Sequence, residues 1–159
     1  MIIRKQIGIL FMLVFSLSAC QKNSIYHHSE HIPSKGWALN QTLYFQDSIR
    51  ADAPDTLCYE VELTHNNLYP YKNIWIYLRT KAYDGTDRLD SINWVLSKPS
   101  GTWIGDGWGS IYSLSHQLPN LVLKPSKGNR WFRIEVQHGL KDAVLGGVEN
   151  LGIKLFVEK

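Results

Sequence analysis

Leu17-Ser18-Ala19-Cys20 is the one stretch of this sequence with a defined covalent chemistry. It closes a segment with a positive start at Arg4 and Lys5 and an apolar run from Ile7 to Phe15, the layout of a secretory signal peptide. A large apolar residue, two small residues and a cysteine form a lipobox. The Cys20 thiol is the only side chain there able to take a diacylglycerol as a thioether. Leu17, Ser18 and Ala19 present the cut site, with Ser18 and Ala19 small enough for a peptidase cleft. The freed amine of Cys20 can then take a third acyl chain, and three chains exceed the two signals that stable anchoring requires. The apolar run is about half the roughly 20 residues that cross a bilayer as a helix, so it reads as a removed leader.

Other residue groups could do chemistry but lack the pattern for it. The loop Gly101-Thr102-Trp103-Ile104-Gly105-Asp106-Gly107-Trp108-Gly109 has the glycines of a phosphate loop, yet no Lys-Ser/Thr follows. Its residues could instead hold a sugar, with Trp103 and Trp108 stacking on pyranose faces and Asp106 accepting hydroxyl hydrogen bonds. The plainer reading is a wide loop whose tryptophans cap one end of the domain. Asp84, Asp87 and Asp90 do not follow the order of a calcium loop. His27, His28, Glu30 and His31 could bind a divalent ion, but nothing rigid is expected to aim them. Glu60 and Glu62 share one strand face and read as a solvated surface, not as carboxylates flanking a cleft. No G-x-S-x-G or H-E-x-x-H spacing occurs. With Cys20 taken by lipid, Cys58 has no disulfide partner and reads as an inert strand thiol. No enzyme, metal or small-molecule cofactor is expected.

The elements that must carry these residues follow from periodicity. Leu57, Tyr59, Val61 and Leu63 alternate with polar neighbours, as do Phe132, Ile134 and Val136, and Ile153, Leu155 and Val157. Trp37 to Phe45 reads as one strand. Ile74–Leu78 is a continuous apolar run, expected to be a central strand buried on both faces. Asp84-Gly85 marks a hairpin before Leu89–Leu96. Ile111–Leu118 and Leu121–Leu123 complete the set. About eight short strands predict an all-β, antiparallel sandwich, jelly-roll-like, with no internal repeat. The expected organisation is a leader over 1–19, a flexible tether over 20–35 and one domain over 36–159. The 159 residues carry 17 basic and 14 acidic side chains. Arg4 and Lys5 leave with the leader, so the mature chain is close to neutral, with no footprint for nucleic acid.

In this order the motifs resemble the GldH gliding-motility lipoprotein family of Bacteroidetes. The likeness is carried by Tyr59-Glu60-Val61-Glu62-Leu63, by Asn66 and Tyr69-Pro70-Tyr71, and by Asn73-Ile74-Trp75-Ile76. The loop Gly101–Gly107 and the tail Leu145–Lys154 complete it. The resemblance implies a non-enzymatic outer-membrane lipoprotein, a scaffold or adaptor among gliding and type IX secretion proteins of the envelope. It brings no catalytic residues. The resemblance also implies that a surface-exported member carries acids just after the cysteine; Gln21-Lys22-Asn23-Ser24 has none, so the periplasm-facing leaflet is expected. The competing expectation is a carbohydrate-binding lipoprotein that uses Trp103 and Trp108.

Overall fold

The computed structural model describes residues 23–158. The lipobox lies outside the described residues. Among those described, the chain forms eleven strands and no helix. They are β1 (Asn23–His31), β2 (Trp37–Ala38), β3 (Leu43–Ile49), β4 (Thr56–Asn66), β5 (Asn73–Ala82), β6 (Asp87–Val95), β7 (Asp106–Trp108), β8 (Ile111–Val122), β9 (Arg130–His138), β10 (Val144–Leu145) and β11 (Val148–Val157). One antiparallel sheet runs β1-β11-β4-β8-β7, a second runs β3-β9-β5-β6, and β10 pairs with β2 as a short ribbon. The expected antiparallel sandwich is what forms.

Alternation places the core between the sheets. Tyr59, Val61 and Leu63 of β4 and Leu151, Ile153 and Leu155 of β11 point inward. So do Ile74, Ile76 and Leu78 of β5 and Phe132, Ile134 and Val136 of β9. Each such side chain, fully buried, contributes about 1.5–3 kcal/mol. The stacking is direct at both ends of the layer. Tyr26 of β1 meets Phe132 of β9 edge to face at 5.0 Å, and Trp94 of β6 meets His116 of β8 at 5.4 Å.

The structure corrects four expectations. The tether over 20–35 is for its greater part a strand, since Asn23–His31 pairs with β11 from Asn23↔Val157 to His31↔Asn150. Its mostly polar side chains hid it, because edge pairing uses backbone groups and polar residues suit an exposed edge. Tyr26 is its inward anchor, and burial pushes that hydroxyl up to about 12, with Asp47 and Glu30 adding to the shift. The second correction concerns β5, which is buried on one face only; Trp75 and Tyr77 point outward. Third, the strand expected over Trp37–Phe45 breaks at a turn, closed by Gln41 N–H donating to the Ala38 carbonyl at 2.9 Å. Finally, Ile111–Leu118 and Leu121–Leu123 are largely one strand, β8, with a shift in register against β4 between Leu57 and Tyr59. The irregularity tolerates Pro119, which cannot donate to a ladder. Arg88 donates to the carbonyls of Asn120 at 3.1 Å and Pro119 at 3.3 Å.

A truncated variant beginning at Gly36 tests the assignment of β1. It removes the pairing with β11 and the Tyr26 contact, and should cost about 3 kcal/mol or more, lowering Tm by roughly 10 °C against a chain beginning at Gln21. Equal Tm values for the two chains would restore the tether.

Candidate functional site

The loops at the His31/Asn66 end of the sandwich gather most of the residues that the sequence singled out. At the end of β4, Asn66 makes a tight turn, its side-chain oxygen accepting from Leu68 N–H at 2.9 Å. Asn66 N–H donates to the Gly147 carbonyl at 2.8 Å, and its amide donates to Glu149. Tyr69 then folds back under this turn and donates its hydroxyl to the Asn73 carbonyl at 2.9 Å. Tyr71 donates to Asp142 at 2.7 Å. Gly147 has φ +81° and lies so close to Tyr69 that an added Cβ would sit 2.5 Å from its Cα. Only glycine meets both demands.

The glycine-rich loop covers the inner side of the same end. Trp103 packs on His65 at 4.7 Å between ring centroids, on Tyr112 at 6.1 Å and on Tyr69 at 6.3 Å. His65 is fully buried in this ring cluster, and its Nδ1 donates to the Asn66 carbonyl at 3.0 Å. Its Nε2 has no hydrogen-bond partner among the described residues. Burial holds its pKa below the ordinary histidine value, and the contact with Asn66 opposes the shift. His138, packed against Trp37 at 5.3 Å, is likewise held down by burial first.

The candidate loop residues are thus divided. Trp103 is spent on packing with His65 and Tyr112. Asp106 and Trp108 lie in β7, paired to Ser113 and Ile111, on the outer side of the sheet. Trp108 is 89% exposed and Leu68 78% exposed, and they flank the segments joined by the Asn67 N–H to Ser110 carbonyl bond at 3.0 Å. The early histidines are fixed on β1 and dispersed: His27 bonds Glu62 at 2.7 Å, His28 bonds Glu30 at 2.9 Å, and His31 bonds Asn150 at 3.2 Å. Among the described residues no three such side chains group to hold a metal. Cys58 is a buried free thiol.

A family profile described as GldH lipoprotein matches residues 24–155. The chain belongs to the GldH lipoprotein family. A gliding motility lipoprotein GldH homolog from Christiangramia forsetii is 23% identical over 147 residues, covering 89% of this chain and 87% of that one. The gliding motility lipoprotein GldH of Flavobacterium johnsoniae is 24% identical over 107 residues, covering 67% and 66%. Among solved structures, TmCBM61 in complex with beta-1,4-galactotriose overlaps with a TM-score of 0.32 and 16% identity, over 87% of this chain and 88% of that one. An overlap that low supports no conclusion. The GldH family is linked to gliding motility, so this chain is a lipoprotein of a motility-linked family.

The GldH resemblance rested on segments far apart in sequence, and they meet at this end. The end of β4, the Asn66–Tyr71 turn, the Gly101–Gly107 loop and the Leu145–Glu149 segment touch one another through Gly147 on Tyr69, Glu149 on Asn66 and Trp103 on His65. Sequence reasoning found the segments but not their meeting. His65 gave no signal, since a lone histidine after an alternating strand reads as solvated.

Two expected outcomes follow from this packing. Trp103→Ala should destabilise the domain by about 2–4 kcal/mol, because it unroofs the ring cluster, whereas Trp108→Ala should change stability by less than about 0.5 kcal/mol. Urea unfolding of the two variants measures both. The pH dependence has a definite sign. Folded His65 and His138 stay neutral where the unfolded chain, with ordinary values of 6.5, takes up protons. The unfolded state then binds more protons, so stability falls as pH drops from about 6.5 toward the depressed values. Tm should be lower at pH 5.5 than at pH 7.5, and His138→Leu should flatten that slope whatever its own Tm.

Proposed function

We propose that this chain is a non-enzymatic adaptor of the gliding machinery, coupled to type IX protein secretion. In this reading it is anchored through Cys20 to the periplasm-facing leaflet of the outer membrane. The family match across nearly the whole domain carries the reading. The position of β1 gives it a geometry. Only Gln21 and Lys22 separate Cys20 from Asn23, which is about 10 Å of chain at full extension. The Asn23/Val157 end of the sandwich then sits at the lipid surface. From there the nine residues of β1 rise about 30 Å to His31. The motif-built end, with Leu68 and Trp108, faces away from the bilayer and is the part presented to envelope proteins. A domain held this short meets partners that come to the membrane and does not search across the periplasm.

The lipid and the exposed end are tested together in the source organism. Cys20→Ala should leave the envelope membranes and abolish colony spreading, while the purified domain keeps its Tm. The double variant L68A/W108A should stay in the membrane and keep its Tm, but lose co-purifying envelope proteins and spreading. Normal spreading of both strains would refute the adaptor reading. Mass spectrometry of the N-terminal peptide reads the acylation of Cys20 directly.

A further inference from the structure

The outer face of the β3-β9-β5-β6 sheet is built differently from the other surfaces. It carries Trp75, Tyr77, Tyr44 and Trp131, all more than a third exposed. Trp75 and Tyr77 are neighbours on one face of β5, both beside Gly139, whereas paired polar side chains stand between them and Tyr44 and Trp131. Arg79 donates twice to Asp87, at 2.8 and 2.7 Å, and Lys81 donates to Glu135 at 3.1 Å. Arg133 donates to Gln46 at 2.9 Å, and Gln137 to Thr42 at 2.7 Å. Beside Tyr77 the face dips into an open depression of about 270 Å³, lined by Thr42, Tyr77, Arg79, Leu89, Glu135 and Gln137. Gly139 lies against Tyr77. An added Cβ there would stand 2.4 Å from Cε2 and 3.0 Å from Cζ of Tyr77, so the absence of a side chain makes room for the ring, which stays 44% exposed.

We infer that this face binds a neutral saccharide chain, with one sugar ring stacked on Tyr77 in the depression. Three observations decide the class of ligand. The volume is close to the lower bound of about 300 Å³ for small-molecule pockets and suits a single ring, not a protein side-chain cluster. Both charged groups on its floor, Arg79 and Glu135, are already paired within the sheet, so a charged occupant gains no free counter-charge. Polar side chains fixed by pairing surround the depression itself, whereas a protein interface centres on contiguous buried anchors. An exposed ring offers its face to the C–H face of a pyranose, and Gln137, Thr42 and Glu135 retain lone pairs or N–H groups for hydroxyls. This site lies on the sheet opposite β7 and does not depend on the lipid anchor or on the adaptor reading.

The test is titration of the purified domain with cellohexaose, laminarihexaose and mannohexaose, followed by amide chemical-shift mapping, with oligogalacturonate as the charged comparison. At least one neutral hexasaccharide should shift residues of β5 and β9 around Tyr77 and Gln137, and more strongly than the charged chain does. Tyr77→Ala should weaken that binding at least tenfold, about 1.4 kcal/mol, without lowering Tm. Gly139→Ala keeps the ring but displaces it, and should also weaken binding. Gln117→Ala, on the other sheet, should leave binding unchanged. If none of the neutral saccharides shifts these residues, or if Tyr77→Ala binds as well as the parent chain, the face is not a sugar site and a protein partner takes precedence there.

Discussion

One apolar layer holds the molecule together, and its deepest part is the burial of Tyr59, Val61 and Leu63 with Ile74, Ile76 and Leu78. Those six side chains are fully withdrawn from water and belong to the central strands of opposite sheets. Tyr59 shows how tight the layer is. Burial pushes its hydroxyl well above the ordinary tyrosine range, with Thr80 of β5 opposing the shift, and Arg88 of β6 stands 5.9 Å from its ring. Period-two geometry then has an unavoidable consequence. Every residue committed to this layer sends its two neighbours to the opposite face. The outer faces are therefore by-products of the core in position, though not in composition.

The two outer faces differ in chemistry. On the β1-β11-β4-β8-β7 sheet many outward residues are polar and tied into pairs such as His27 with Glu62 and Thr64 with Ser113, with Trp108 exposed at the β7 edge. On the other sheet, large rings stand among the ion pairs. Exposed aromatics carry a standing cost in solubility, and a solvated face needs none of them. Trp75, Tyr77, Tyr44 and Trp131 lie on this sheet, against Trp108 at the β7 edge of the other, which sets the surface proposed for saccharide apart.

The two ends differ as well. Near Asn23, buried Arg130 fixes the loop before β4, donating to the Ala53 carbonyl at 2.7 Å and pairing with Asp55 at 3.1 Å. At the far end the family-marking segments interlock around Tyr69 and His65. The first end is closed around a buried cation, with Lys124 N–H donating to Asp84 at 3.0 Å beside it. The second is closed by rings and backbone, with Leu68 and Trp108 left outside. A lipid on Cys20 would turn this asymmetry into an orientation.

Much of the fold was legible in the sequence because strand periodicity is local. The alternation in β4, β9 and β11 and the Asp84-Gly85 hairpin need only neighbouring residues to be seen. The lipobox reading rests on information just as local, the four consecutive residues from Leu17 to Cys20. What the sequence could not convey depended on pairing across distance. β1 has almost no apolar pattern, and only its backbone ladder with β11 makes it a strand. Trp75 and Tyr77 count as hydrophobic in any window, and the sheet alone decides that they face water. Trp103 and Trp108 are five residues apart in one loop, yet the ladder of β7 with β8 leaves them on opposite sides of a sheet. Side-chain type at short range was enough to set most of the element types and the class of fold. Which residues share a surface was settled only in the folded chain, because it depends on contacts between segments as far apart in sequence as Asn23 and Val157.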